Sequence, residues 1–117
     1  MVRNFPNSTE LLQNARDRKL YPNLVAQLEK DFGLANIPIK IGLAMAPDEL
    51  RNVLHEKIYY LLMERFSEYL NLLYIVDVPE RAFKEIRVTD VVEVAEQVSF
   101  LILKRELQKV ILKANYP

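Results

Sequence analysis

Between Pro47 and Val76 apolar residues recur at intervals of three and four, and no glycine or proline interrupts them. On a wheel turning about 100° per residue, Leu50, Leu54, Ile58, Leu61, Leu62, Tyr69, Leu72, Leu73 and Val76 share one core-facing sector. The spacing predicts one helix about 45 Å long at a rise of about 1.5 Å per residue. Its start is marked by Ala46-Pro47-Asp48-Glu49, with proline at a first helical position and two acids in the first turn. Outside the sector, Val53, Tyr59, Tyr60, Met63, Phe66 and Leu70 place more apolar surface than a water-facing side normally carries. The middle of this helix is therefore expected to be covered on more than one side.

A second long helix is predicted from the Thr89-Asp90 cap to about Asn115. Its apolar side changes over near Phe100. Val91, Val94, Ala95, Val98, Leu101 and Ile102 share one face, whereas Phe100, Leu103, Leu107, Val110, Ile111 and Ala114 lie nearly opposite. Two apolar faces imply two things to pack against. A second copy of the chain is the simplest supplier, so Phe100, Leu103, Leu107, Val110 and Ile111 are expected to form a homodimer interface.

The remaining segments are shorter. Asn7-Ser8-Thr9-Glu10 reads as a helix cap with Leu11, Leu12 and Ala15 behind it, and Pro22 restarts a helix carrying Leu24, Val25, Leu28 and Phe32. Gly33 is expected to close that helix in the left-handed conformation. Between Asn36 and Ala46, Ile37, Ile39, Ile41 and Leu43 alternate with Pro38, Lys40 and Gly42, the period of a half-buried strand. Proline and glycine weaken a strand interior, and no good partner strand is in sight. An extended connector packed on helices is therefore preferred to an α+β arrangement with a small two-stranded sheet. Asp77-Val78-Pro79-Glu80 has the form of a helix start, and a short turn through Phe83 to Glu85 is expected after it. The chain, residues 1–117, is thus expected to be a single all-α domain: a short N-terminal helical hairpin, an extended connector, and two long antiparallel helices in a bundle.

Composition narrows the chemistry. The 117 residues include no cysteine, which excludes thiolate catalysis, thiolate zinc sites and disulfides. Sixteen lysines and arginines balance sixteen acids, so no overall field draws the chain to nucleic acid or anionic lipid. No apolar run approaches the roughly 20 residues that span a bilayer, and the N-terminus lacks a secretory pattern. A cytoplasmic protein with neither nucleic acid nor membrane as partner is expected.

Two arginines are oddly placed. Arg65 falls inside the core sector of the first long helix, and Arg105 stands where the last helix was due an apolar residue. In an antiparallel pair turning near Phe83, Arg65 would face Leu101 and Arg105 would face Leu61, close to Tyr60. Arg65, Arg105 and Tyr60 could then line a groove that holds an anion. Alternatively each arginine lays its stem on the core and pairs with Asp77, Glu68 or Glu106. His55 is the only histidine, and Asn52 occupies the position where a di-iron bundle needs glutamate, so neither metal nor cofactor is expected. Ser8, Ser67 and Ser99 lack a nucleophile-elbow context, and Asp77 with Glu80 is explained by capping. Tyr59, Tyr60, Tyr69 and Tyr74 read as core or interface rather than as a cage. The expectation is a non-catalytic interaction or adaptor protein acting as a homodimer, with a possible further protein partner. An anion-binding module with its groove between the long helices is the alternative.

Overall fold

The computed structural model describes residues 6–87 and 89–115. Among them are six helices, α1 (Ser8–Asp17), α2 (Tyr21–Leu34), α3 (Pro47–Glu64), α4 (Phe66–Val76), α5 (Glu80–Lys84) and α6 (Val91–Asn115), and no strand. The small sheet is therefore not formed. Residues 37–42 instead run extended over the helices, with Ile37 buried and Ile39 and Ile41 packed on the core. The Tyr21 hydroxyl donates to the Met45 carbonyl at 2.6 Å and ties the far end of this connector to the start of α2.

Local chemistry accounts for most helix ends. The Asn7 side chain accepts from the Glu10 N–H at 2.9 Å, and the Asp90 carboxylate accepts from the Val92 N–H at 2.9 Å. Three helices stop in the same way. After α1, α2 and α4, respectively, Lys19, Asn36 and Asp77 take φ near +60° to +70°. Each donates its N–H back into the last turn, to Arg16, Gly33 and Tyr74 respectively. The following residues, Leu20, Ile37 and Val78, donate to the carbonyls of Ala15, Phe32 and Leu73. These are paired Schellman bonds, and in each case the residue after the cap is a hydrophobe set against the helix it closes. Gly33 is not the cap expected of it: it lies inside α2, and Asn36 turns the chain.

The stretch from Pro47 to Val76 is two helices. The chain breaks at Arg65, whose φ of −141° and ψ of 57° lie outside the helical region, and α4 sets off in a new direction. No breaker residue causes this. A straight helix of about 45 Å would overrun a molecule whose longest dimension is 35 Å, whereas the break lets both apolar stripes reach one core. Leu50, Leu54, Ile58 and Leu61 from α3 and Tyr69, Leu72, Leu73 and Val76 from α4 are all buried in it.

The other long helix is the centre of the molecule. Each of the other five helices touches α6, and this explains the change of apolar side near Phe100. Leu103 and Leu107 are wholly buried, Val110 and Ile111 nearly so, and Phe100 packs half-buried against the same cluster. The face expected to meet a second copy is therefore occupied within the subunit, where α1, α2 and α4 also lie against α6. A helix enclosed by its own chain needs apolar residues on several sides.

Candidate functional site

The structure separates the two arginines. Arg51 on α3 approaches Glu96 on α6 at 3.6 Å, and His55 meets the Val92 carbonyl at 2.9 Å, so residue numbers run in opposite directions along these helices. In that register the end of α3 lies beyond the start of α6, and Arg65 cannot face Leu101. Arg105 is bound elsewhere: its guanidinium donates to Asp77 at 3.0 Å and to Gln108 at 3.1 Å, the structural alternative considered above.

Arg65 and Tyr60 do come together. The Arg65 Nε lies 3.5 Å from the Tyr60 hydroxyl, a long contact that, with the carboxylates of Glu68 and Glu64, raises the guanidinium pKa. Both residues line a cavity of about 430 Å³, whose other walls include Asn36, Ile37, Pro38, Lys57 and Leu61. The Lys57 ammonium stands 5.7 Å over the Tyr60 ring, within cation–π range. The groove is thus between α3 and the connector, with Lys57 in the place foreseen for Arg105.

On the outer side of the α3–α4 elbow is the largest run of exposed apolar groups. Phe66, Leu70 and Tyr74 recur every fourth residue on α4, and Tyr59 and Met63 do so on α3. Met63 and Phe66 flank the break. Tyr59 is 37% exposed, Tyr60 and Leu70 45%, Met63 and Phe66 55%, and Tyr74 83%. These are largely the residues whose position outside the core sector suggested a second covering, and among the described residues nothing covers them.

A third feature was not foreseen. Glu106 is fully buried and Asp31 nearly so, where α2, α4 and α6 converge. Lys109 joins them, its ammonium 2.7 Å from Asp31 and 3.3 Å from Glu106, with the Ile75 carbonyl at 3.4 Å. Gln27 donates to Asp31 at 3.2 Å and accepts from Lys113 at 2.6 Å. Burial, together with the neighbouring Asp31 carboxylate, pushes the Glu106 carboxyl up to about 9. Burial would also raise Asp31, but the neighbouring Glu106 carboxyl, with the hydrogen bonds from Lys109 and Gln27, outweighs it and holds that carboxyl below its usual range. Their surroundings thus favour the neutral acid at Glu106 and the carboxylate at Asp31. A pair of acids driven apart in pKa can serve acid–base chemistry. Here neither carboxyl lines any of the described cavities, and the pair instead locks α2 to α6. The signal was present in the spacing: Glu106 is three residues after Leu103 and four before Val110, on an apolar face.

Among the described residues no cluster of histidine and acids could hold a metal ion, and no helix is long and apolar enough to cross a membrane. Compared with known proteins, the chain matches no family model, no curated sequence and no solved structure.

Proposed function

We propose that the protein is a non-catalytic helical interaction protein that works as a homodimer and docks through the α3–α4 elbow. The observation that carries this reading is the exposed row Tyr59, Met63, Phe66, Leu70 and Tyr74, with Tyr60 beside it. At roughly 200 Å² of surface for a large side chain, these exposures leave on the order of 600 Å² of apolar area in one place. That is at the upper end of what a monomer carries, and it approaches the roughly 800 Å² that each partner contributes to a standard interface.

A second copy is the favoured occupant because the surroundings of the row are mixed in charge. Arg65 and Lys57 border it along with Glu64 and Glu68. A two-fold interface sets a patch against itself, so it needs both signs on one surface. A zero net charge also leaves no long-range repulsion between copies. Self-association thus moves from the second face of α6 to the elbow.

Light scattering over a concentration series tests this. The wild-type chain should have twice the monomer mass, and Leu70→Asp with Tyr74→Asp should give the monomer mass with unchanged helicity. A wild-type chain that stays monomeric at about 100 μM, far above the Kd of a standard interface, would overturn it.

A further inference from the structure

We infer that the cavity between α3 and the start of the connector is a binding site for an oxyanion carried on an apolar body, with a phosphate monoester as the class of ligand. This inference does not rest on self-association.

The donors are of three kinds. Lys57, Tyr60 and Arg65 line one cavity of about 430 Å³, within the size range of small-molecule sites. They offer an ammonium, a phenol and a guanidinium fork. Among the described residues neither Lys57 nor Arg65 is in a salt bridge: Lys57 has only the Tyr60 ring, and Arg65 only the long contact to the Tyr60 hydroxyl. Glu68 is the one acid in the lining and Glu64 also acts on Arg65, so two acids stand against two cations about the cavity. The carbonyls of Asp31, Phe32 and Gly33 at the nearby end of α2 already accept N–H groups from residues 35–37, which removes them as a source of repulsion. A guanidinium pairs with two oxygens of a phosphate at once, and an ammonium and a hydroxyl can take the third.

The rest of the cavity selects for more than a bare ion. Ile37, Pro38 and Leu61 form apolar wall. A neighbouring cavity of about 350 Å³ shares Pro38, Lys57 and Tyr60 and continues past Ile39 and Val53. A flat or aliphatic ester group therefore has room along α3 while its phosphate stays with the cations.

The test is a titration of the full chain followed by amide NMR, with phenyl phosphate, inorganic phosphate and benzyl alcohol as separate probes. Phenyl phosphate should produce saturable shifts at Ile37, Tyr60 and Arg65, and inorganic phosphate should bind more weakly at the same amides. Lys57→Gln and Arg65→Gln should each weaken phenyl phosphate about tenfold, the scale of one charge-assisted contact. Arg105→Gln should leave it unchanged. Arg65 is exposed and Lys57 half-buried with its ammonium over the Tyr60 ring, so thermal melts should show both the Lys57→Gln and Arg65→Gln variants folded. The inference fails if phenyl phosphate gives no saturable shifts, if benzyl alcohol binds as well, or if the folded Lys57→Gln and Arg65→Gln variants bind undiminished.

Discussion

Glu106 on α6 and Asp31 on α2 are buried carboxyl groups that meet one ammonium, Lys109 Nζ standing 3.3 Å from the first and 2.7 Å from the second. Burial favours the neutral acid at Glu106. The sign of its linkage to stability follows directly. Glu106 titrates near 4.5 when unfolded and at about 9 when folded, so between those values the native state holds a proton that the unfolded chain has lost. Its contribution is complete below pH 4.5 and is lost as pH rises towards about 9, at up to about 1.4 kcal/mol per unit. Asp31 acts in the opposite sense, its share being lost only as pH falls below the usual carboxylate range. Denaturant melts at a series of pH values should therefore show stability falling from pH 5 to 9. Glu106→Gln keeps the shape of the neutral acid and removes the ionisable group. It should flatten that slope and gain about 1–3 kcal/mol at pH 8; an unchanged slope would mean that Glu106 is ionised in the folded protein.

Leu107→Asp and Ile111→Asp were the natural changes for splitting a dimer through α6. Because both side chains are buried inside the subunit, each should instead cost more than about 4 kcal/mol, a large part of the 5–15 kcal/mol typical of a domain. Far-ultraviolet circular dichroism should record loss of helix in the double variant. A folded monomer from the same variant would return the interface to α6.

Leu70→Asp and Tyr74→Asp should behave differently. Tyr74 is largely in water and Leu70 nearly half so, so the change in stability should stay within about 0.5 kcal/mol for Tyr74→Asp and about 1 kcal/mol for Leu70→Asp. Chemical denaturation beside the light-scattering measurement separates a lost interface from a damaged fold. A large loss of stability in the monomeric variant would show that these residues support the subunit itself.

The left-handed caps offer a prediction of gain. Lys19 sits at φ 60°, a conformation that costs an ordinary side chain about 1 kcal/mol and glycine almost nothing. Gly33 is the converse: it is inside α2 with open space where a Cβ would go. Lys19→Gly and Gly33→Ala should each add about 0.5–1 kcal/mol and raise Tm by about 4 °C. Differential scanning calorimetry reads both, and their effects should be additive because Lys19 lies in the turn after α1 and Gly33 near the far end of α2.

The helices were legible where the local signals were strong: the Asn7 and Asp90 caps, Pro22 and Pro47 in first turns, and the core stripe from Leu50 to Val76. The break at Arg65 was not, because it has no breaker and comes from the size of the core, a property of the folded whole. That one omission misplaced the register, and with it the pairing of Arg65 with Arg105. The two faces read in α6 belong to one core: its buried residues form a single stripe from Ala95 to Ile111 that drifts around the helix, and a wheel records that a face is buried and not by whom. Glu106 was read only as a partner for an arginine and Asp31 drew no reading, although both stand on apolar stripes. Tyr60 and Arg65 were picked out by their odd placement and do share a cavity, but Lys57 is there instead of Arg105 because the connector, and not α6, forms the opposite wall.

Since the other five helices all lean on α6, they have no common support until it is in place. It is also the last of the six to leave the ribosome. During synthesis some ninety residues must wait with greasy surfaces open, dependent on chaperones or on speed, and the molecule should then close in a single step.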